Sequence, residues 1–244
     1  MSIRIGIIGI TGRMGTLLEQ AVPASGATFA GGIGRGGDLA ALAGAADALI
    51  DFTVAATVNG HAALIAASGT PWVLGTTGLT PADQAAVAHA AAIIPVFQAA
   101  NFAPGVNLVL ALAERLGATL PAETHDAEIL EMHHRQKIDA PSGTALSLGH
   151  AIAQGRGADL AAVMQSGRDG HTGPRETGAI GFAALRGGQI VGSHSAIFTS
   201  ATEQITLTHH ALDRRIFAEG AVRAAIWLAG KPPGLYGMRD LLGL

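Results

Sequence analysis

Residues 3–8 form a short, almost unbroken apolar run, as expected of a parallel strand covered on both faces. A glycine-rich stretch over 9–15 follows, and Met14, Leu17, Leu18 and Val22 then recur at helical spacing until Pro23. Apolar runs at 28–33, 48–52, 72–74 and 94–97 predict four more strands. Between them lie an Ala-rich helix to about residue 68 and a second helix, opened by Pro81, to about residue 92. Strand alternating with helix is the rhythm of a doubly wound α/β sheet. Beyond Asn101 the pattern changes. One longer helix is predicted over 106–116, then strands at 126–133, 180–185, 189–191, 195–199 and 204–209, interrupted by a helix over 142–153. Their Gly-rich connections predict a mixed or antiparallel sheet, hence a second domain of α+β type, and 155–178 reads as a long loop. An amphipathic helix over 216–228 is expected to return to the first domain.

Hydrophobic residues make up 49% of the 244 and charged residues 14%, which excludes a disordered chain and a coiled coil. Only 4% are aromatic, so the core must be built from Ala, Val, Leu and Ile. A net charge of −3 without a long basic run argues against a nucleic-acid binder or a polybasic membrane anchor. Cysteine is absent, which removes disulfides, iron–sulfur clusters and thiol nucleophiles. No basic region or cleavage site precedes Ile3, so a signal peptide is not expected. The most apolar later stretch, 85–97, carries His89 and Pro95 and is too short to span a bilayer. A soluble, cytoplasmic protein is the expectation.

Gly9-Ile10-Thr11-Gly12-Arg13-Met14-Gly15 has the form Gly-x-x-Gly-x-x-Gly. With 34 glycines in the chain, such a string arises by chance roughly 0.6 times, so the string alone decides little. Its position decides more. It follows the first strand and opens the first helix, where glycines allow close backbone approach and helix N-terminal amides face a pyrophosphate. An ordinary strand–helix turn is the competing reading. Gly75-Thr76-Thr77-Gly78 follows a later strand, on the edge where such sheets bind ligands. Alone it is a turn; beside the first motif it reads as a nicotinamide or ribose contact.

The most informative segment runs from Glu131-Met132-His133-His134 through Lys137 to Pro141-Ser142-Gly143-Thr144. Neighbours along a strand point to opposite faces, so His133 and His134 share one role only if the strand ends there. Ser142-Gly143-Thr144 stands where a helix begins and brings N–H groups and a hydroxyl, while Lys137 adds a charge within loop reach. Amides, hydroxyl and ammonium suit a carboxylate, and a histidine beside them suits proton donation. A strand end with one packed and one solvated ring is the plainer alternative. No metal is expected, since neither His-Glu-x-x-His nor Cys is present, and Ser142 lacks the Gly-x-Ser-x-Gly elbow of a nucleophile. His125, His209 and His210 read as structural.

Taken in order, the Gly12-Arg13-Met14-Gly15 loop, Asp51-Phe52-Thr53, Gly75-Thr76-Thr77-Gly78, Ala99-Ala100-Asn101-Phe102, the segment 131–145 and Ile180-Gly181-Phe182 resemble the 4-hydroxy-tetrahydrodipicolinate (dihydrodipicolinate) reductases of bacterial and plant lysine biosynthesis. The resemblance covers almost the whole chain. It implies a Rossmann-type dinucleotide-binding domain over 1–104 plus 214–244, and a substrate-binding and tetramerisation domain over 105–213 of a homotetramer. It implies that Gly9, Ile10, Thr11, Gly12, Arg13, Met14, Gly75, Thr76, Thr77 and the turn Ala99, Ala100, Asn101, Phe102 bind the cofactor. His134, Lys137, Ser142, Gly143 and Thr144 match substrate-binding positions, His133 the proton donor, and Lys137 a second donor.

Two departures stand out. Where the family usually has an acidic residue to bind the adenosine ribose, this chain has Gly34 followed by Arg35. A guanidinium there can grip a 2′-phosphate, so NADPH is expected to be preferred over NADH. The chain is also short between Arg35 and Ala48, where relatives often carry a strand, which implies a smaller sheet. The reading is an NAD(P)H-dependent oxidoreductase of the diaminopimelate route to lysine, without nucleic-acid or membrane partners. Its dicarboxylate substrate, 4-hydroxy-tetrahydrodipicolinate, loses water, accepts hydride at C4 and a proton at the neighbouring carbon, and yields tetrahydrodipicolinate. A catalytically silent nucleotide-binding regulator of the same fold and a reductase of another imino or keto acid are the alternatives.

Overall fold

The computed structural model describes residues 2–244. First along the chain come β1 (Arg4–Ile8), α1 (Arg13–Ala24), β2 (Thr28–Ile33), α2 (Leu39–Ala45), β3 (Ala48–Asp51), α3 (Ala55–Ser68), β4 (Trp72–Leu74), α4 (Pro81–Ala91) and β5 (Pro95–Gln98). Then follow α5 (Pro104–Thr119), β6 (Asp126–His133), α6 (Gly143–Gly155), α7 (Leu160–Val163), β7 (Met164–Ser166), β8 (Ile180–Arg186), β9 (Gly192–Thr199) and β10 (Gln204–Ala211). Last are α8 (Arg215–Leu228), β11 (Gly234–Tyr236) and α9 (Met238–Leu242). The chain up to Pro104 forms one compact unit with Arg214–Leu244, and Gly105–Asp213 forms another.

In the first unit six strands lie in the order β11-β5-β4-β3-β1-β2, with every neighbouring pair parallel. This is the doubly wound α/β sheet that the alternating pattern predicts. Successive side chains point to opposite faces, and both faces are covered, hence the unbroken apolar runs. Ile5, Ile7 and Ile50 pack with Leu18 of α1 and with Ala221 and Ala225 of α8. Ile8, Leu49 and Leu74 pack on the other side with Leu42 of α2, Ile65 of α3 and Val87 of α4. The strand order reverses between β1 and β3, the place where open α/β sheets form a ligand crevice at the carboxyl ends of their strands.

Three elements here escape the hydrophobic pattern: α2, β11 and α9. The segment whose shortness implied a smaller sheet holds α2, capped by the Asp38 carboxylate, which accepts from the Ala41 N–H at 2.9 Å. The sheet keeps six strands because β11 adds an edge beside β5.

The second unit is a mixed sheet in the order β10-β9-β6-β8-β7, with β6 parallel to β8 and antiparallel to β9. Ile129, Phe182 and Phe198 pack with Leu148 and Ile152 of α6. Two expectations need correction. Residues 189–191 form no strand; they belong to the Gly-rich turn between β8 and β9. The segment 155–178 is not one loop, since it contains α7 and β7. Its remainder is pinned by ion pairs, Arg168 to Glu128 at 2.8 Å and Arg175 to Asp126 at 2.7 Å. No helix among the described residues is long and apolar enough to cross a membrane.

Candidate active site

β1 ends at Ile8, and Gly9 takes a φ of +89°, a left-handed value that other residues resist. The turn is fastened to the end of β2, where the Gly9 and Ile10 N–H groups donate to the Ile33 carbonyl at 2.8 and 3.1 Å. Gly12 is the extended N-cap of α1, and no side chain caps the helix. Its first-turn N–H groups, from Arg13 onward, therefore point out of the helix end with the positive end of the helix dipole. A Cβ on Gly15 would run into the carbonyls of Gly9 and Ile10, so only glycine lets the helix start this close to the loop.

Beside the turn lies a cleft of about 560 Å³, walled by Gly9, Thr11, Gly12, Gly34, Arg35 and His61 among others. A second, of about 520 Å³, shares Gly12, Phe52 and Thr53 with it and runs past Arg13 and Met14 to Gly75, Thr76 and Thr77. Thr76 is buried, and its hydroxyl oxygen accepts from the Thr53 N–H at 3.1 Å. Thr53 in turn donates its hydroxyl to the fully buried Asp51 at 2.6 Å, whose other oxygen meets His61 Nδ1 at 2.7 Å. Buried polar groups thus brace the shared wall.

Five of the predicted cofactor residues stand outside both linings. Ile10 lays its side chain against Gly32. Ala99, Ala100, Asn101 and Phe102 form the turn after β5, tied to β4 by the Ala99 N–H to the Leu74 carbonyl at 3.3 Å. The Asn101 side chain accepts from the Ala103 N–H at 2.9 Å. Phe102 is a core residue, its ring 5.4 Å from Phe52 and 5.9 Å from Phe97, so it supports the cleft through Phe52.

In the second unit β6 ends at His133. That ending is the condition for His133 and His134 to escape strict alternation. The turn beyond closes through the Lys137 N–H to the His134 carbonyl at 3.1 Å, and the Gly187 N–H holds the His133 carbonyl at 2.9 Å. Lys137 donates from Nζ to Asp139 at 2.8 Å. Ser142 caps α6, its hydroxyl oxygen accepting from the Ala145 N–H at 3.2 Å. The same oxygen lies 3.0 Å from His194 Nε2, and the Ser142 N–H donates to Glu131 at 3.1 Å. Hydroxyl and amide of Ser142 therefore both have protein partners. Gly143, which is exposed, and Thr144 stand in the first turn, whose N–H groups point out of the helix end.

Beneath the turn sits Glu131, only 1% exposed. It takes hydrogen bonds from Arg186 at 2.7 and 2.9 Å and meets His133 Nδ1 at 2.6 Å. Burial alone would raise this carboxyl, but the bonds from Arg186 and His133 outweigh it and hold it below the ordinary carboxylate range. Burial pushes His133 below its ordinary value, and Lys137 and Arg186 add to the effect while Glu131 opposes it. His194 packs edge-on against His133 with centroids 5.0 Å apart, and burial pushes it down to about 4.

Glu131, Arg186 and His194 are the residues that motif reasoning passed over. Glu131 and His133 were readable as a pair, two residues apart on one strand face. Arg186 and His194 arrive through strand register and carry no local signal. His125 and His210 lie elsewhere, paired with Glu203 and Ser193.

Dihydrodipicolinate reductase family profiles match both parts of the chain, the N-terminus over residues 3–102 and the C-terminus over residues 105–242. The chain belongs to the dihydrodipicolinate reductase family. The 4-hydroxy-tetrahydrodipicolinate reductase of Acidiphilium cryptum is 82% identical over 99% of this chain and 98% of its own length. That of Granulibacter bethesdensis is 58% identical over 100% of this chain and 98% of its own. Among solved structures, the dipicolinate-bound dihydrodipicolinate reductase from Paenisporosarcina sp. TG-14 matches with a TM-score of 0.77 at 26% identity, covering 98% of this chain and 99% of that one. As a member of this family the chain is an oxidoreductase, and its reaction is the reduction of 4-hydroxy-tetrahydrodipicolinate.

Proposed function

We propose that this dihydrodipicolinate reductase works as a cytoplasmic homotetramer. It takes NADPH in the cleft of its first unit, and holds its dicarboxylate where β6 and α6 meet in the second, with His133 supplying the proton. The observation that carries the reading is the buried His133 on Glu131 beside the α6 helix end and Lys137.

A dinucleotide suits the first unit on steric grounds. The wall beside α1 has no Cβ at Gly9 or Gly12, and the two clefts share residues and run from Arg35 to Thr77. Gly9 to Met14 would hold a pyrophosphate on the helix end, Arg35 a 2′-phosphate, and Gly75, Thr76, Thr77 and the 99–102 turn the nicotinamide end. When bound, the reduced nicotinamide supplies a hydride.

The chain's own residues do the rest. Lys137, His134 and the first-turn amides of α6 neutralise carboxylate charge, which suits a di-acid such as the dipicolinate of the Paenisporosarcina enzyme. His133 holds a proton at Nε2 for the carbon next to the reduced one, and Lys137 is the second donor. The sheet face away from α6 exposes Leu185 at 51% and alternate residues of β10, a surface that assembly through the second unit would cover.

The deciding assay follows NADPH and NADH oxidation with freshly generated 4-hydroxy-tetrahydrodipicolinate. Turnover with competitive inhibition by pyridine-2,6-dicarboxylate, and far weaker inhibition by the mono-acid, is expected. Nucleotide binding without turnover would mark a regulator, and a monomer in light scattering at micromolar concentration would contradict the tetramer.

A further inference from the structure

We infer that Glu131, anchored by Arg186, is the positioning residue for proton transfer. It fixes His133 with the Nδ1–H turned into the carboxylate and leaves Nε2 as the nitrogen that hands the proton over. The inference rests on His133 being the donor, as read above.

A buried charge has to be satisfied within the protein. Glu131 is 1% exposed, and a carboxylate so placed must be hydrogen-bonded and paired. It is paired from three directions. Oε1 accepts from Arg186 at 2.7 Å and from the Ser142 N–H at 3.1 Å, while Oε2 accepts from Arg186 at 2.9 Å and meets His133 at 2.6 Å. Arg186 reaches it because β6 and β8 run parallel with His133 opposite Arg186. The two-pronged grip sets the carboxylate plane, which a lysine in its place would not do.

The carboxylate also selects the tautomer of the ring. An ionised carboxylate accepts and does not donate, so the imidazole nitrogen facing it carries the proton. Nδ1 is thereby withdrawn from the chemistry, and Nε2 becomes the site of proton gain and loss. The chain leaves room on that edge. Residue 192 is glycine, and a Cβ there would stand 3.1 Å from His133 Nε2.

The charges around the ring balance. Facing His133 are Glu131 on its own strand, Arg186 on β8, His194 on β9, and Lys137 with its partner Asp139 in the following turn. His209 on β10 stands one strand further, opposite His194 in the antiparallel register. The carboxylate favours the imidazolium, and Arg186 and Lys137 disfavour it. Glu131 thus makes protonation possible in a buried site, and Arg186 keeps the resulting acid strong. Through the Ser142 N–H the same carboxylate also ties the ring to the α6 end, so donor and anion-binding turn are held in one frame.

The experiment reads kcat against pH, together with the imidazole titration of His133 by NMR in the unliganded protein. A general acid must be protonated to act, so kcat falls as pH rises through its pKa. Removing the adjacent negative charge lowers that pKa, and removing the adjacent positive charge raises it. Glu131→Gln should move the basic limb and the NMR midpoint down by on the order of one pH unit. It should lower kcat by about 10- to 100-fold, with a much smaller change in KM. Arg186→Gln should move both readouts up, and Glu131→Asp should restore most of the shift. Packing damage alone would not produce opposite signs from two partners of one carboxylate. Should Glu131→Gln fail to fold, Arg186→Gln and Gly192→Ala remain; the latter should lower kcat by crowding Nε2 while leaving the His133 midpoint in place. Unchanged midpoints, or shifts of the same sign in the Glu131 and Arg186 variants, overturn the inference. A His133→Ala enzyme with full turnover would instead overturn the assignment of the donor, which the NMR titrations test independently.

Discussion

The turn at the end of β1 offers its cleft peptide N–H groups and bare glycine surfaces, held by φ at Gly9 and by close contact at Gly15, beside side chains such as Arg35 and His61. At the end of β6 the groups are side chains: Glu131, Arg186 and His133, held by one another's charge, with Lys137 paired to Asp139. The two regions answer to different perturbations. The glycine turn itself has no ionisable atoms, but one added methyl can displace it. A network of buried charges fails when a partner is neutralised, since breaking a buried pair costs about 3–5 kcal/mol. Under the proposed function the first region serves nucleotide affinity and the second serves proton transfer.

The sharpest way to break this contrast is Gly15→Ala. Its Cβ would meet two backbone carbonyls that cannot rotate away, so α1 must shift. A stability loss of about 1–3 kcal/mol is expected from the crowding. NADPH affinity should fall by about 100-fold, read by fluorescence titration. The NMR titration of His133 should not move. If it does, the two regions are coupled and the contrast is false.

His133→Ala is the mirror experiment. Turnover should fall by roughly 10²-fold or more, the usual scale for a lost general acid, while NADPH affinity stays at its wild-type value. Single-turnover kinetics are the check. Wild-type turnover under conditions where chemistry is rate-limiting would remove His133 from the reaction.

The same contrast explains what could be read without coordinates. The first strand, its turn and α1 are contiguous, and so are β6, its turn and α6; hydrophobic runs and glycine placement made both legible. Arg186 lies 55 residues from Glu131, and His194 lies 52 from Ser142. Only strand register brings them in, and register is not written in any local spacing. Ser142 is a different case: its residue type announces a hydroxyl, but not that its oxygen caps α6 or that its N–H meets Glu131. Elements too short for a periodic signal were also lost, α2 at seven residues and β11 at three.

Lys137 tests how far the charged network extends. Lys137→Ala should weaken pyridine-2,6-dicarboxylate by about 2 kcal/mol or more, as when a desolvated anion loses its cation. Asp139 competes for the same ammonium at 2.8 Å, so Asp139→Asn should change affinity the other way by a few-fold. Isothermal titration measures both. Unaltered affinity in Lys137→Ala would leave the carboxylate to the α6 helix end and His134 alone.

The smallest effect is expected where a charged side chain joins the backbone-built cleft. Arg35 follows Gly34 at the mouth of the first cleft and is exposed to solvent. An acidic residue at this place would accept from the ribose hydroxyls and repel a 2′-phosphate; Gly34 does neither. A guanidinium can grip the phosphate, but exposure and salt limit the gain to about 1 kcal/mol. Arg35→Ala should therefore raise the KM for NADPH by about fivefold at low ionic strength and leave that for NADH nearly unchanged. Added salt should narrow the preference of the wild type and have little effect on the variant. Equal weakening of both nucleotides would mean that Arg35 shapes the Gly-rich turn rather than reads the phosphate.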